Sequence, residues 1–153
     1  MDPAMVPNRD RTLLIVEDDI LPAMALRDEL EDGGYRVLDL TGRHQEALAA
    51  ARAEKPDLAL VNIELQGRDD GIALAGELKA MGVPTLFISG QKSRASSART
   101  VAIASLPKPY RASDMLTAVD YLLAHLAGDE SLPCPDGLEV FIPSRGQAEP
   151  DLV

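Results

Sequence analysis

The sequence predicts an α/β protein with a doubly wound, five-stranded parallel sheet between flanking helices. Two observations lead to this prediction. Short apolar runs rich in branched side chains, typical of strands buried on both faces, alternate five times with segments of helical periodicity. The chain has 153 residues, of which 46% are hydrophobic, so it can bury one such core and is too short for two ordinary domains.

The first strand is predicted at residues 13–16, where an apolar run stops at the carboxylates Glu17, Asp18 and Asp19. Apolar and charged residues then mix in a helical pattern over 22–30, and two glycines supply the end of that helix. This strand and helix form the first of five units.

The middle of the chain repeats the pattern. Residues 36–40 predict a second strand, and 45–53, which are dense in alanine, predict a second helix. A third buried strand is predicted at 58–63. A polar, turn-prone stretch at 67–71 precedes a third helix over 72–81.

The last two units complete the alternation. A fourth strand is predicted at 85–89, and the small polar residues 91–100 predict a short fourth helix with almost no apolar face. Residues 102–106 predict the fifth strand, and 114–126 predict a clearly amphipathic helix.

We expect these units to form one domain over residues 11–127, after an N-terminal extension at 1–10. The tail at 128–153 contains four prolines, so we expect it to be disordered or loosely packed. In the alternative, residues 138–142, which alternate partly like a strand, add to a sheet edge or dock on a second copy to give a homodimer.

Composition limits the class of partner and the compartment. The formal net charge of −10 argues against nucleic acid or an anionic membrane as a partner, because phosphate contacts need clustered Lys and Arg. Cys134 is the single cysteine, so no internal disulfide or thiolate metal site can form. No apolar run approaches the roughly 20 residues of a membrane helix. These features predict a cytoplasmic protein.

Polar side chains stand where the predicted strands end. The first strand ends at Glu17 and Asp18, the third carries Asn62, the fourth ends at Ser89 and the fifth leads into Lys108. The carboxyl ends of parallel strands share one edge of a sheet, so these side chains are expected to converge. Two carboxylates near a carbonyl suit Mg²⁺, and a lysine with a hydroxyl suits the oxygens of a transferred phosphoryl group.

The sequence around these strand ends resembles the response-regulator receiver (CheY-like) family. The likeness rests on Val16-Glu17-Asp18-Asp19, Asn62-Ile63-Glu64-Leu65, Asp70-Gly71, Ser89-Gly90 and Pro107-Lys108-Pro109. Within that family the chain is most similar to the alphaproteobacterial FAT GUY-type single-domain receivers. Their Pro-x-x-Phe-Ala-Thr-Gly signature is matched by Pro84, Phe87, Ser89 and Gly90, with Ile88 replacing the alanine.

The resemblance implies a (βα)5 flavodoxin-like receiver fold and a set of site roles. Asp18 would ligate Mg²⁺ with help from Glu17, and the backbone carbonyl of Glu64 would supply another oxygen. Ser89 and Lys108 would contact the phosphoryl oxygens. The implied partners are a histidine kinase or phosphotransfer protein and a downstream protein target.

Asn62 stands where the family has its phosphoaccepting aspartate, and it also belongs to the implied metal site. An amide oxygen is a poor nucleophile and carries no charge. Losing a unit charge about 4 Å from a divalent ion removes several kcal/mol of attraction at an effective dielectric of roughly 20. We therefore expect phosphotransfer to fail and Mg²⁺ to bind weakly. Asn62 is either natural, in a phosphorylation-independent receiver, or a substitution made to freeze the inactive state.

Two alternatives are an enzyme that uses the same acidic site and a nucleotide-binding domain. A small Mg²⁺-dependent phosphohydrolase of the haloacid-dehalogenase type needs aspartates two apart after the first strand, and Ile20 occupies the place of the second. A nucleotide-binding flavodoxin-like domain needs a phosphate-binding loop, and no glycine-rich loop follows the first strand. The sequence thus favours a single-domain signalling module over an enzyme.

Overall fold

The computed structural model describes residues 11–65, 70–90 and 98–142. In chain order its elements are β1 (Thr12–Val16), α1 (Ile20–Asp32), β2 (Arg36–Val37), α2 (His44–Ala53), β3 (Leu58–Asn62), α3 (Asp70–Ala80), β4 (Thr85–Ser89), β5 (Ala104–Pro107), α4 (Ala112–Leu126) and β6 (Glu139–Val140). No helix in these ranges combines the length and the apolar character that crossing a membrane requires.

The strands form one sheet in the order β2-β1-β3-β4-β5-β6, and β1 to β5 are parallel. The predicted doubly wound parallel sheet is therefore confirmed. The chain moves from β1 to β2 on one side and then returns to β3 on the other, so strand order reverses between β1 and β3. Ligand sites of such sheets lie at this reversal, outside the carboxyl ends of the strands.

Successive side chains along each strand point to opposite faces of the sheet, and each face has its own apolar cluster. Leu13 and Ile15 belong to the cluster covered by α1 and α4, whereas Leu14 and Val16 belong to the cluster covered by α2 and α3. Every residue of β1, β3 and β4 is buried. Burial on both faces explains why these strands are continuous apolar runs in the sequence.

A sixth strand extends the five that the sequence predicts. β6 pairs antiparallel with β5, and the Phe141 N–H donates to the Ile103 carbonyl at 2.8 Å. Leu138 is buried in the cluster on the α1 and α4 face, while Phe141 packs against the other cluster. For residues 138–142 the predicted disorder or loose packing is wrong, and the alternative, addition to a sheet edge, is confirmed. Their apolar side chains cover both sides of the β5 edge.

Some boundaries differ from the sequence prediction. β2 ends at Val37, and the strand does not continue to residue 40, although Thr41 forms an isolated parallel bridge with Val16. β5 begins at Ala104, two residues after the predicted start. Most of the predicted short helix at 91–100 lies outside the described residues, and its last three residues, 98–100, form a turn.

Candidate functional site

The carboxyl ends of four parallel strands form one pole of the sheet, which we call the acidic pole. Asn62 ends β3 and is paired in register with Ile88 of β4, while Ser89, the last residue of β4, is paired with Pro107 of β5. β3 lies between β1 and β4, so Asn62 has a central position. The structure therefore brings the predicted strand-end residues to the same edge.

Asn62 is only 5% exposed, and its amide makes three hydrogen bonds. Its Nδ2 donates to Glu17 Oε2 at 3.3 Å and to the Glu64 carbonyl oxygen at 3.0 Å. Lys108 Nζ donates to Asn62 Oδ1 at 3.4 Å. This side chain thus connects residues that follow β1, β3 and β5.

The chemistry of the three partners fixes the orientation of the amide. A lysine ammonium can only donate hydrogen bonds, so it must face the amide oxygen. A carboxylate and a carbonyl accept, so they must face the amide nitrogen. The reversed orientation would direct the NH2 group at the Lys108 ammonium and would leave Glu17 opposite an oxygen.

Glu17 is half-buried beside the exposed carboxylate of Asp18. Burial raises the pKa of Glu17, and the hydrogen bond from the Asp19 N–H to Glu17 Oε2, at 3.0 Å, opposes this rise. The positive charge of Lys108 also lowers the pKa of Glu17, while the neighbouring Asp18 carboxyl raises it. The net result of these opposing interactions is a raised pKa of Glu17.

Backbone contacts fix the loops around the acidic pole. The Glu17 N–H donates to the Thr41 carbonyl at 2.9 Å, and Thr41 Oγ1 donates to the Ile15 carbonyl at 3.1 Å. The Lys108 N–H donates to the Ser89 carbonyl at 2.9 Å, and Ser89 is 2% exposed. These bonds position the residues that follow β1 and β5 relative to the neighbouring strands.

The first turn of α3 packs directly on the end of β3. The Gly71 N–H donates to the Ile63 carbonyl at 3.0 Å. A Cβ added at Gly71 would lie 2.3 Å from the Asn62 carbonyl oxygen and 2.6 Å from the Ile63 Cα, so only glycine allows this approach.

The donor set of the acidic pole does not fit a divalent cation in this arrangement. It offers two carboxylates and one carbonyl, and in the described ranges no three His, Cys, Asp or Glu side chains gather as metal ligands would. The NH2 group of Asn62 already donates to Glu17 and to the Glu64 carbonyl. Mg²⁺ requires oxygen lone pairs in near-octahedral geometry, and here the two N–H bonds of the amide point at two of the oxygens that would ligate it.

A cavity of about 400 Å³ lies beside the acidic pole, between α1 and the loop that joins β5 to α4. Glu17 and Lys108 line it, together with Pro22, Ala25 and Leu26 of α1 and Asp19, Pro109, Tyr110 and Ala112. Burial raises the pKa of Tyr110, as does the negative charge of Glu17. Asp18, Asn62 and Ser89 do not line this cavity.

The first turns of α1 expose large apolar side chains next to this cavity. Ile20 is 57% exposed, Leu21 is 73% exposed and Met24 is 39% exposed. We call these three residues the α1 apolar surface. Neither this surface nor the position of Tyr110 beside the cavity was predicted from the sequence. The signal for the surface is that Ile20, Leu21 and Met24 fall outside the stripe of buried residues formed by Ala23, Leu26 and Leu30.

Comparison with known proteins gives consistent matches. Residues 13–120 match the response regulator receiver domain family. The transcriptional regulatory protein PdtaR of Mycobacterium tuberculosis is 33% identical over 121 residues, which are 76% of this chain and 57% of PdtaR. The phyllosphere-induced regulator PhyR of Methylorubrum extorquens is 32% identical over 84 residues, 54% of this chain and 32% of PhyR. The chain thus spans little more than half of PdtaR and a third of PhyR.

Solved structures agree with the sequence matches. The signal receiver domain of a modulated diguanylate cyclase from Desulfovibrio desulfuricans G20 is 34% identical, with a TM-score of 0.66, over 74% of this chain and 93% of that one. The receiver domain of NtrX from Brucella abortus is 30% identical, with a TM-score of 0.67, over 72% of this chain and 97% of that one. Both similarities cover nearly the whole of the compared domain.

Proposed function

The chain belongs to the response regulator receiver domain family of two-component signalling, and we propose that it signals through protein contacts without being phosphorylated. Asn62 takes the phosphoacceptor position in this proposal. The signature residues Pro84, Phe87, Ser89 and Gly90 support placing the chain in the FAT GUY-type group. No observation favours the alternative of a phosphohydrolase.

The amide of Asn62 carries the proposal. Asn62 ends β3 at the centre of the acidic pole, and its oxygen accepts a hydrogen bond from Lys108. In a receiver the acceptor must attack phosphorus and keep the product as an acyl phosphate, which a carboxylate can do and a neutral amide cannot. In this proposal the chain lacks the nucleophile that phosphotransfer requires, and its remaining function is recognition of partner proteins.

The proposal is tested by the intact mass of the protein after incubation with acetyl phosphate and Mg²⁺. We expect the chain with Asn62 to keep its mass and Asn62→Asp to gain the mass of one phosphoryl group. Asn62→Ala, which has no acceptor at this position, is the matched control and should keep its mass. Equal phosphorylation of all three proteins would place the acceptor elsewhere and would overturn the proposal.

We propose the α1 apolar surface as the docking site for a helix of a histidine kinase or phosphotransfer protein. Its three side chains occupy two turns beside the acidic pole, and clustered exposed apolar residues of this kind mark interaction sites. The adjoining cavity, with apolar walls from Pro22, Ala25 and Leu26, can receive a side chain from such a helix. Exposed Asp18 and Asp19 at its border favour a partner with basic residues there.

Leu21→Glu should weaken binding to the cognate phosphotransfer protein by about tenfold or more, because a charge replaces the most exposed residue of the surface. Isothermal titration calorimetry against the phosphotransfer proteins of the source organism measures the loss. Leu132→Glu is the control, since Leu132 is 41% exposed on the C-terminal segment. The same loss from both variants would show that the effect does not belong to this surface.

A further inference from the structure

We propose that the Asn62 amide replaces the divalent cation of the acidic pole, so that this receiver holds one arrangement of the pole with or without Mg²⁺. Receiver domains typically bind Mg²⁺ at their acidic site. The inference rests on the proposed function, in which residue 62 has the acceptor position.

The two hydrogen atoms of the Asn62 NH2 group are both used. One is donated to Glu17 Oε2 at 3.3 Å and the other to the Glu64 carbonyl at 3.0 Å. These are two of the oxygens that the receiver pattern assigns to the metal. The amide nitrogen, with its partial positive charge, thus lies within hydrogen-bonding distance of both oxygens and satisfies them without a cation.

Lys108 holds the amide in this orientation. Its ammonium donates to Asn62 Oδ1 at 3.4 Å, so the amide oxygen has a partner of its own. A cation that entered the pole would break both hydrogen bonds from Nδ2. Turning the amide to offer its oxygen to the cation would direct the NH2 group at Lys108, where two donors meet. In neither orientation can Asn62 offer its oxygen to the cation without losing a hydrogen bond or facing Lys108 with a second donor.

The charge balance of the pole leads to the same conclusion. With Asn62 the pole has two carboxylates, Glu17 and Asp18, and Glu17 accepts hydrogen bonds from both Asn62 and the Asp19 N–H. An aspartate at position 62 would add a third carboxylate, whose repulsion a divalent cation would relieve. The amide removes that repulsion and leaves two carboxylates, whose attraction for a cation is weaker, so the hydrogen bonds of Asn62 to Glu17 and to the Glu64 carbonyl decide whether a cation enters.

For signalling, the consequence is that the acidic pole of this receiver has a single conformational state. A ligand shifts an equilibrium only if it binds the two states differently, and here neither Mg²⁺ nor a phosphoryl group has a place to bind. The α1 apolar surface beside the pole is then available to partners at all times. Its output would depend on the amount of this protein and on competition among its partners.

Thermal unfolding, followed by far-ultraviolet circular dichroism in chelator and in millimolar MgCl2, tests the proposal. We expect the midpoint of the chain with Asn62 to change by less than about 1 °C between the two conditions. Asn62→Asp should melt below the chain with Asn62 in chelator, and its midpoint should rise by about 5 °C on adding Mg²⁺. Ala80→Glu, which adds a carboxylate at the exposed last residue of α3, is the charge-matched control and should not respond to Mg²⁺.

Asn62→Ala separates the proposed role of the amide from a simple lack of charge. It removes the NH2 group but adds no carboxylate, so Mg²⁺ should now raise its midpoint. If Asn62→Ala is as insensitive to Mg²⁺ as the chain with Asn62, or if the chain with Asn62 itself responds, the inference is wrong. If Asn62→Asp does not respond and is not phosphorylated, the acceptor has been misplaced, and the proposed function fails instead.

Discussion

Gly71→Ala is expected to lower the free energy of unfolding by about 3 kcal/mol or more, at the upper end of what overpacking costs. The added Cβ would lie 2.3 Å from the Asn62 carbonyl oxygen and 2.6 Å from the Ile63 carbonyl oxygen. Both contacts are with backbone, which cannot turn aside as a side chain does. To relieve them, α3 must move away from the end of β3, which would also stretch the hydrogen bond from the Gly71 N–H to Ile63.

Gly76→Ala is the matched control on the same helix. A Cβ at Gly76 would meet only Val101 Cγ1, at 3.7 Å, which is an ordinary contact. Alanine also restricts the unfolded chain and favours helix, so this variant should be unchanged or more stable by roughly 0.5–1 kcal/mol. Urea unfolding measures both variants. Equal stability of Gly71→Ala and the unsubstituted chain would mean that α3 lies farther from β3 than the contacts at Gly71 indicate.

Removal of residues 129–153 is expected to lower the free energy of unfolding by about 3 kcal/mol. Leu138 is 8% exposed and belongs to the core cluster under α1 and α4, and burial of one such side chain stabilises a fold by about 2 kcal/mol. Val140 and Phe141 add partial burial on the two faces of the sheet. The deletion also uncovers the hydrogen-bonding edge of β5, so the shortened chain should self-associate.

The control for this deletion removes residues 143–153 only and keeps β6. It should leave both the unfolding midpoint in urea and the particle mass in solution close to those of the full chain. Light scattering after size-exclusion chromatography gives the particle mass. If the longer deletion changes neither quantity, β6 contributes nothing to the stability of the domain.

The parallel sheet was predictable because its strands are buried on both faces. Burial of this kind requires continuous apolar runs such as Leu58–Asn62, with a polar residue only where the strand ends. The convergence of Glu17, Asn62 and Lys108 was predictable for a related reason, since strand register places the ends of parallel neighbours at one edge. These predictions depend on two things. One is the spacing of apolar residues, which can be read from the sequence, and the other is the topology that alternating strands and helices adopt.

The direction of each hydrogen bond at the acidic pole was not predictable. Whether Asn62 turns its nitrogen or its oxygen toward Glu17 depends on where Lys108 lies, to within about an ångström. The exposed side chain of Leu21 was missed because a helical pattern identifies the buried stripe and says little about the opposite face. The sixth strand, only two residues long, left too short an alternating pattern for a firm prediction.

Both borders of the sheet are formed by strands of two residues, β2 on one side and β6 on the other. A long unpaired strand at a border is a template on which other chains can add, and this is how many folded proteins enter fibrils. Here the longer inner strands have neighbours on both sides, and each border offers room for very few intermolecular backbone bonds. We therefore expect the folded domain to remain free of fibrils during prolonged storage at high concentration.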